Sequence, residues 1–305
     1  MTHARAVRFD SYGDRDVLHV ADVPMPSPAE GEVLLEVRAA GINPGEAAIR
    51  STGTDLSKLP SGQGSDVAGV VVALGEGVTT FAVGDEVLGY SWTRSSQATH
   101  AAVPVTQLIA KPSELSWEQA GGLYVVGCTA WATVETVDPK PGETVAVSAA
   151  AGGVGSLVVQ LVRERGAHVV GIASAGNAAW LSDHGATPVE YGDDLASRVR
   201  AAAPGGVDGF IDLFGPQYVE LAIELGVDPQ RIDTIISFDA AKAHGTHAIG
   251  SAAYSSREVL HEVAGRVASG DLELVIARTY PLEDVVEAFA DLEQRHTRGK
   301  IVLIP

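Results

Sequence analysis

Apolar residues fall into two textures along this chain. In the first hundred residues they come in short β-like runs, Ala4 to Phe9, Val33 to Ala39, Val67 to Leu74 and Glu86 to Tyr90, separated by Gly and Pro punctuation such as PMPSPAEGE. This pattern predicts a compact, mostly β domain. From about Trp117 to Ser251, strand-length apolar runs alternate with helical periodicity. Helices are predicted over Trp117–Val137, Val154–Arg165, Ala178–His184 and Leu195–Ala202, and buried strands over Val207–Leu213 and Thr234–Phe238. Such alternation is what a parallel, doubly wound α/β sheet requires. Toward the end, helical segments Ser256–Ser269 and Leu282–Gln294 bracket a β run, Leu272–Ile276, and GKIVLIP reads as a closing strand. No internal repeat or low-complexity tract is visible.

The most informative stretch joins two of these elements. ETVAVS enters the glycine-rich turn AAAGGVG, an amphipathic helix leaves it, and the apolar strand HVVGIAS follows. In that context the spacing Ala150-x-Gly152-x-x-Gly155 reads as a dinucleotide fingerprint, with alanine at the tight-turn position. Gly152 lets backbone approach a pyrophosphate and Gly155 lets helix and strand pack closely. The turn residues Ala151, Gly152, Gly153 and Val154 are therefore candidate cofactor contacts, with free N–H groups facing the phosphates. A plain strand-to-helix turn rich in small residues is the competing account.

The next strand bears on which nucleotide is bound. NAD binders place an Asp or Glu about 20 residues past the glycines to receive the ribose hydroxyl. Here that region reads Gly171-Ile172-Ala173-Ser174-Ala175-Gly176-Asn177, without a carboxylate. Ser174 and Asn177 suit a 2′-phosphate instead, which favours NADPH, although no Arg or Lys accompanies them to form the usual charge-assisted pair.

Length, composition and charge narrow the classes. A chain of 305 residues, 46% of them hydrophobic, suggests two domains with substantial cores. Its formal charge of −18 argues against nucleic acid or an anionic membrane as partner. No apolar run is long enough to span a bilayer, and MTHARAVRF lacks the order of a signal peptide. With Cys128 as its single cysteine the chain forms no internal disulfide, so a cytoplasmic location is expected.

The segments AVRFDSYGDRDVLHVADVPMPSPAEGEVLLEVRAAGINPGE, GSDVAGVVVALGEGVTTFAVGDEVLGY, GCTAW, AAGGVG and PLEDVVEAFADLEQRHTRGKIVLIP, taken in order, resemble the zinc-free, quinone oxidoreductase-like (zeta-crystallin-like) branch of the medium-chain dehydrogenase/reductase superfamily. That resemblance implies a GroES-like catalytic domain from residues 1–116 and 256–305, and a Rossmann NADP-binding domain from 117–255. It also implies that Asn43 lies beside the nicotinamide, with Thr129 and Gln63 as further polar neighbours, and that Tyr191 contacts the 2′-phosphate ribose. Phe214 and Phe238, at ends of expected strands, are candidates to wall the nicotinamide pocket, or else core aromatics. Lys300 is a candidate for a cofactor phosphate, with solvent as the alternative. A homodimer, joined through the sheet edge around Ile249, follows from the same resemblance.

Metal is not expected. The zinc branch has a cysteine where this chain has Gly41-Ile42-Asn43-Pro44 and a His-Glu pair where it has Gln63-Gly64-Ser65-Asp66, so softer ligands are missing at both places. A metal-free site suits an acceptor whose product anion is delocalised: a quinone or an α,β-unsaturated carbonyl. The alternatives are a polyketide-type enoyl reductase and a non-catalytic NADPH-binding or structural protein. Departures from the family, Ser95 to His100 where relatives read roughly GAYAEY and Tyr124 where proline is common, leave the proton donor open between His100, Tyr124 and water.

Overall fold

The structure, a computed structural model, describes residues 3–53, 58–251 and 256–305; the expected domain boundary at residue 255 falls outside them. The chain forms two compact units, one from residues 1–125 with 260–305, the other from 126–259.

The second unit is a five-stranded sheet, all parallel, with spatial order Ala186–Glu190, His168–Ala173, Thr144–Val147, Gly209–Asp212 and Ile232–Thr234. The first strand in sequence lies at its centre and the order reverses there, the doubly wound arrangement. The central strands are apolar on both faces because helices cover both sides. His168–Ala173 is buried after its first residue, and Gly209–Asp212 throughout. Phe210, Ile172, Val170, Tyr218 and Ile232 anchor the core. Pro188 sits in the edge strand Ala186–Glu190, where the ladder bond that a proline removes is expendable.

The first unit is antiparallel at heart. Strand Glu32–Gly41 pairs with Asp66–Leu74 and with His100–Pro104; Asp66–Leu74 pairs with Glu86–Tyr90, which pairs with Leu108–Ala110. The C-terminal strand Lys300–Ile304 joins the sheet beside Glu32–Gly41, with Val302 opposite Gly41, and Ile276–Pro281 lies parallel to it. A small sheet of His19–Pro24, His3–Phe9 and Ser61–Gly62 completes the unit.

Two predicted strands move. The run at Thr234–Phe238 is a strand only over Ile232–Thr234, because Thr234 and Ser237 turn inward to a buried carboxylate and Phe238 opens a helix, Phe238–His244. Leu272 and Leu274 are buried with strand-like spacing, yet backbone pairing begins only at Ile276. Helix Pro44–Thr52 went unread. It starts with proline at its first position, and its first turn is closed by Glu46, whose Oε2 accepts from the Asn43 N–H at 3.1 Å.

Candidate functional site

In the second unit the glycine turn has the geometry a dinucleotide needs. The left-handed residue is Ala149, at φ 48°, rather than Ala150, whose N–H pairs with Ile172 O at 3.1 Å. Helix Gly153–Glu164 begins with Gly152 at its N-cap and no side chain satisfying its first amides. Those first-turn N–H groups have no acceptor within the helix and carry its positive dipole end. A Cβ on Gly152 would meet only Ala149 O, at 3.2 Å, so the turn is open to a phosphate. A Cβ on Gly155 would collide with Ala149 O and lie 2.8 Å from Ala150 Cα; here glycine is obligatory for helix and strand to touch. The donors present thus fit a pyrophosphate.

The adenosine-side candidates come together. Ser174 follows strand His168–Ala173, and Asn177 Nδ2 donates to Ser174 Oγ at 3.0 Å. Tyr191, exposed, follows the adjacent strand, its N–H bonded to Ala173 O at 3.3 Å. One hydroxyl, one amide and one phenol therefore share the carboxyl ends of two neighbouring strands, with no carboxylate among Ser174–Asn177.

Asp212, which sequence reasoning passed over, organises the loops at the carboxyl ends of three strands. Its Oδ1 accepts from Ser148 Oγ (2.9 Å) and from the N–H groups of Phe214 (2.9 Å) and Gly215 (3.1 Å). Its Oδ2 accepts from Thr234 Oγ1 (2.7 Å) and Ser237 Oγ (2.9 Å). Five donors on one fully buried carboxylate fix the loop that carries Phe214 and the turn before Phe238. Phe214 is half-buried, edge-on to Tyr218, while Phe238 is 61% exposed. The legible signal was a run of polar residues at the ends of otherwise apolar strands: Ser148, Asp212, Thr234 and Ser237.

In the first unit Asn43 is buried within a charged network. Its Nδ2 donates to Asp66 Oδ2 at 3.0 Å and its Oδ1 accepts from Lys300 Nζ at 2.6 Å. Lys300 corrects the sequence expectation. The side chain is 3% exposed, and its ammonium spends its three donors on Asn43 Oδ1, Asp66 Oδ2 (3.0 Å) and Ile42 O (3.0 Å), leaving none for a phosphate or for water. The cause is register. Ile42 N–H bonds Ile301 O at 3.1 Å, so the closing strand delivers Lys300 beside Asn43. Asp66 also accepts from Val125 N–H at 2.7 Å, and Gly41 makes room, since a Cβ there would lie 2.6 Å from Asp66 Oδ2. Glu46 completes the network. It accepts from Ser65 N–H (2.9 Å) and Gln97 Nε2 (3.0 Å), and burial, then the Asp66 charge, push its carboxyl above the usual range against the pull of Lys300.

Gln63 is fully buried in this unit, and neither atom of its amide has a partner. Thr129 is buried on helix Trp117–Val137, within the second unit. Of the acid candidates, Tyr124 is buried and stacked on Tyr90 at 4.1 Å between centroids, and His100 Nδ1 lies 3.2 Å from Thr99 Oγ1. Among the described residues no group of three or more His, Cys, Asp or Glu is placed to hold a metal ion.

Comparison with known proteins follows this geometry. Residues 29–113 match the alcohol dehydrogenase GroES-like domain family, and residues 182–303 the zinc-binding dehydrogenase family. The chain is 31% identical to a quinone oxidoreductase of Rattus norvegicus over 97% of its own length and 95% of the relative's. It is a quinone oxidoreductase-like member of the medium-chain dehydrogenase/reductase superfamily. A solved quinone oxidoreductase from Coxiella burnetii superposes with a TM-score of 0.89 at 30% identity, covering 99% of both chains. The Escherichia coli quinone oxidoreductase, solved in complex with NADPH, superposes with a TM-score of 0.88 at 26% identity, covering 99% of this chain and 100% of that one. The GroES-like and Rossmann-like assignments follow from these matches. For a quinone oxidoreductase-like chain, the polar first-unit network and the open glycine turn are the two features from which chemistry can be argued.

Proposed function

We propose that this chain reduces a quinone or an activated α,β-unsaturated carbonyl with NADPH and without a metal. The observation that carries the reading is the uncapped helix start at Gly152–Val154, followed by a second strand after which come Ser174 and Asn177 rather than an acid. In this reading residues 117–255 form the nucleotide-binding domain. The amides of Gly153 and Val154 take the pyrophosphate, with Ala151 and Gly152 shaping the turn. Ser174, Asn177 and Tyr191 take the 2′-phosphate ribose by neutral donors, and Phe214 and Phe238 flank the nicotinamide.

Bound there, NADPH supplies a hydride from C4 of its nicotinamide ring. The protein's part is position and field. Lys300 and Asp66 lock Asn43 in one rotamer, leaving one Oδ1 lone pair for the ribose or the acceptor. Gln63, whose amide Nε2 is unspent, donates to the acceptor oxygen as negative charge develops on it. The Thr129 hydroxyl lines the nicotinamide side. A quinol oxygen takes its proton from water, so no buried acid is required. In this reading the working form is a cytoplasmic homodimer.

The test is to mix the protein with NADPH and a panel of quinones and enones and follow nicotinamide absorbance. Turnover supports the proposal; a rise in melting temperature with NADPH but no turnover on any acceptor overturns it in favour of a binding role. Ser174→Asp should weaken NADPH binding at least about tenfold while sparing NADH, by loss of a hydrogen bond and like-charge repulsion.

A further inference from the structure

The loop Ser91–Gln97 of the first unit carries a cation that the network above does not use. Arg94 is 7% exposed, and all three of its guanidinium nitrogens are inaccessible and without a hydrogen-bond partner. A guanidinium keeps its charge at any physiological pH and brings five N–H donors in a rigid fork. Leaving them unmet is costly, and an apolar residue of similar size would avoid the cost. Burial pulls this group's proton affinity down, and the Glu46 charge only partly offsets that.

The loop is not loose. Arg94 is held at φ 56°, its N–H bonded to Ser91 O at 3.0 Å. Two glycines on the facing segment admit it: a Cβ on Gly62 would lie 2.8 Å from Arg94 O, and one on Gly64 would strike Ser96 Oγ and lie 2.6 Å from the Gln97 N. Gln97 N–H bonds Gln63 O at 3.1 Å. Around Arg94, the Ser96 hydroxyl, Gln97 Oε1 and both atoms of the Gln63 amide are also buried and unpartnered. A cavity of about 560 Å³ is walled by Gly62, Gln63, Ser95 and Gln97, so residues flanking and facing Arg94 are reached from open space. The unmet N–H groups of Arg94, the Ser96 hydroxyl and the Gln63 Nε2 are donors beside a positive charge that no ion pair meets, a combination complementary to an oxyanion.

We propose that Arg94 receives the carboxylate of an anionic acceptor, with the Ser96 hydroxyl beside it, so that the preferred substrates are conjugated carbonyl compounds bearing an acid group. The inference rests on the hydride-transfer reading above and names the substrate class within it. Gln63 holds the carbonyl oxygen and Arg94 the acid. Selectivity comes from the charge-assisted fork, which a neutral ester cannot satisfy.

The experiment uses 4-oxopent-2-enoate and its methyl ester as probes. Binding of each to the full chain, without NADPH, is measured by calorimetry; NADPH oxidation with each is measured separately. The acid should bind at least about tenfold more tightly than the ester, the scale of one charge-assisted hydrogen bond. Arg94→Gln should bring that ratio close to one. Arg94→Lys, which keeps the charge but loses the fork, should lower the ratio without abolishing it, and it serves if the glutamine variant does not fold. Equal binding of acid and ester by the unaltered protein would mean that water meets these donors, and overturns the proposal; so does an Arg94→Gln protein that keeps the preference. Preferential binding of the acid with no NADPH oxidation on any acceptor supports the Arg94 assignment while removing the hydride-transfer reading. NADPH oxidation with an ester that binds as well as the acid does the reverse.

Discussion

Replacing Lys300 by methionine tests the network that positions Asn43. Methionine fills much of the same volume but donates nothing. Three buried acceptors lose bonds of 2.6, 3.0 and 3.0 Å, and Asp66, with no exposure, loses its counter-ion at 3.0 Å. Removing one partner of a buried pair costs about 3–5 kcal/mol, most of it from the charge left behind. With about 2–4 °C of melting temperature per kcal/mol for domains of 150–250 residues, the first unit should melt about 6–20 °C lower. The loss should also depend on pH. Lys300 holds down the proton affinity of Glu46, whose ordinary value is 4.5. Folded Glu46 already keeps its proton to higher pH than unfolded Glu46 does, and without the ammonium it keeps it to higher pH still. Its share of the destabilisation is therefore absent at acid pH, where both folded proteins carry the proton, and grows once pH rises past the point at which Glu46 ionises in the parent. Differential scanning calorimetry between pH 5 and pH 8 measures both effects. A Lys300→Met protein that melts within about 2 °C of the parent at pH 8 would refute the claim that this ammonium is a structural cation.

Two further outcomes follow from the second unit. Gly155→Ala forces a methyl group into the Ala149 carbonyl, an overpacking worth about 1–3 kcal/mol, and should weaken NADPH binding about tenfold in a fluorescence titration; unchanged affinity would remove the turn from the cofactor site. Asp233 is buried, accepts from Ile249 N–H at 2.8 Å through Oδ1 only, and has its carboxyl pushed up to about 7 by desolvation. The fold holds that proton more tightly than the unfolded chain, so its contribution to stability declines as pH rises from about 4 to 7. Asp233→Asn lacks this slope, and its stability relative to the parent should improve by about 2–3 kcal/mol between pH 5 and pH 7 in urea titrations. A gap independent of pH would contradict the buried-acid assignment.

What could be read from the chain divides along the line between local and long-range causes. Helix Trp117–Val137 and helix Leu195–Ala202 lie where their periodicity places them, because burial on one or all sides leaves a repeating apolar mark. The glycine turn was legible because its steric demands act within a few residues. Strand Ala186–Glu190 was hidden by Pro188, tolerable only because the strand lies at an edge, and no local rule says where an edge is. The first-unit network was hidden for a related reason: Lys300 and Asn43 are 257 positions apart, and only sheet register brings them together. A lysine before a strand gives no sign that a carboxylate awaits it. Arg94 was equally silent, since the absence of partners becomes visible only once every neighbour has been placed.

The pairing of Lys300–Ile304 with Glu32–Gly41 has a consequence for biosynthesis. Lys300 follows Ile42 by 258 residues, so at about 5–20 residues per second the ribosome delays it by roughly 13–50 s. During that interval Asp66 and Glu46 have been made, but the cation that neutralises Asp66 has not. Over the same interval only the Ala40–Gly41 end of strand Glu32–Gly41 lacks its neighbour, and the contiguous nucleotide-binding segment is free to fold before the first unit is complete. Emergence of Lys300–Ile304 is thus the event that completes the charge network of the first unit.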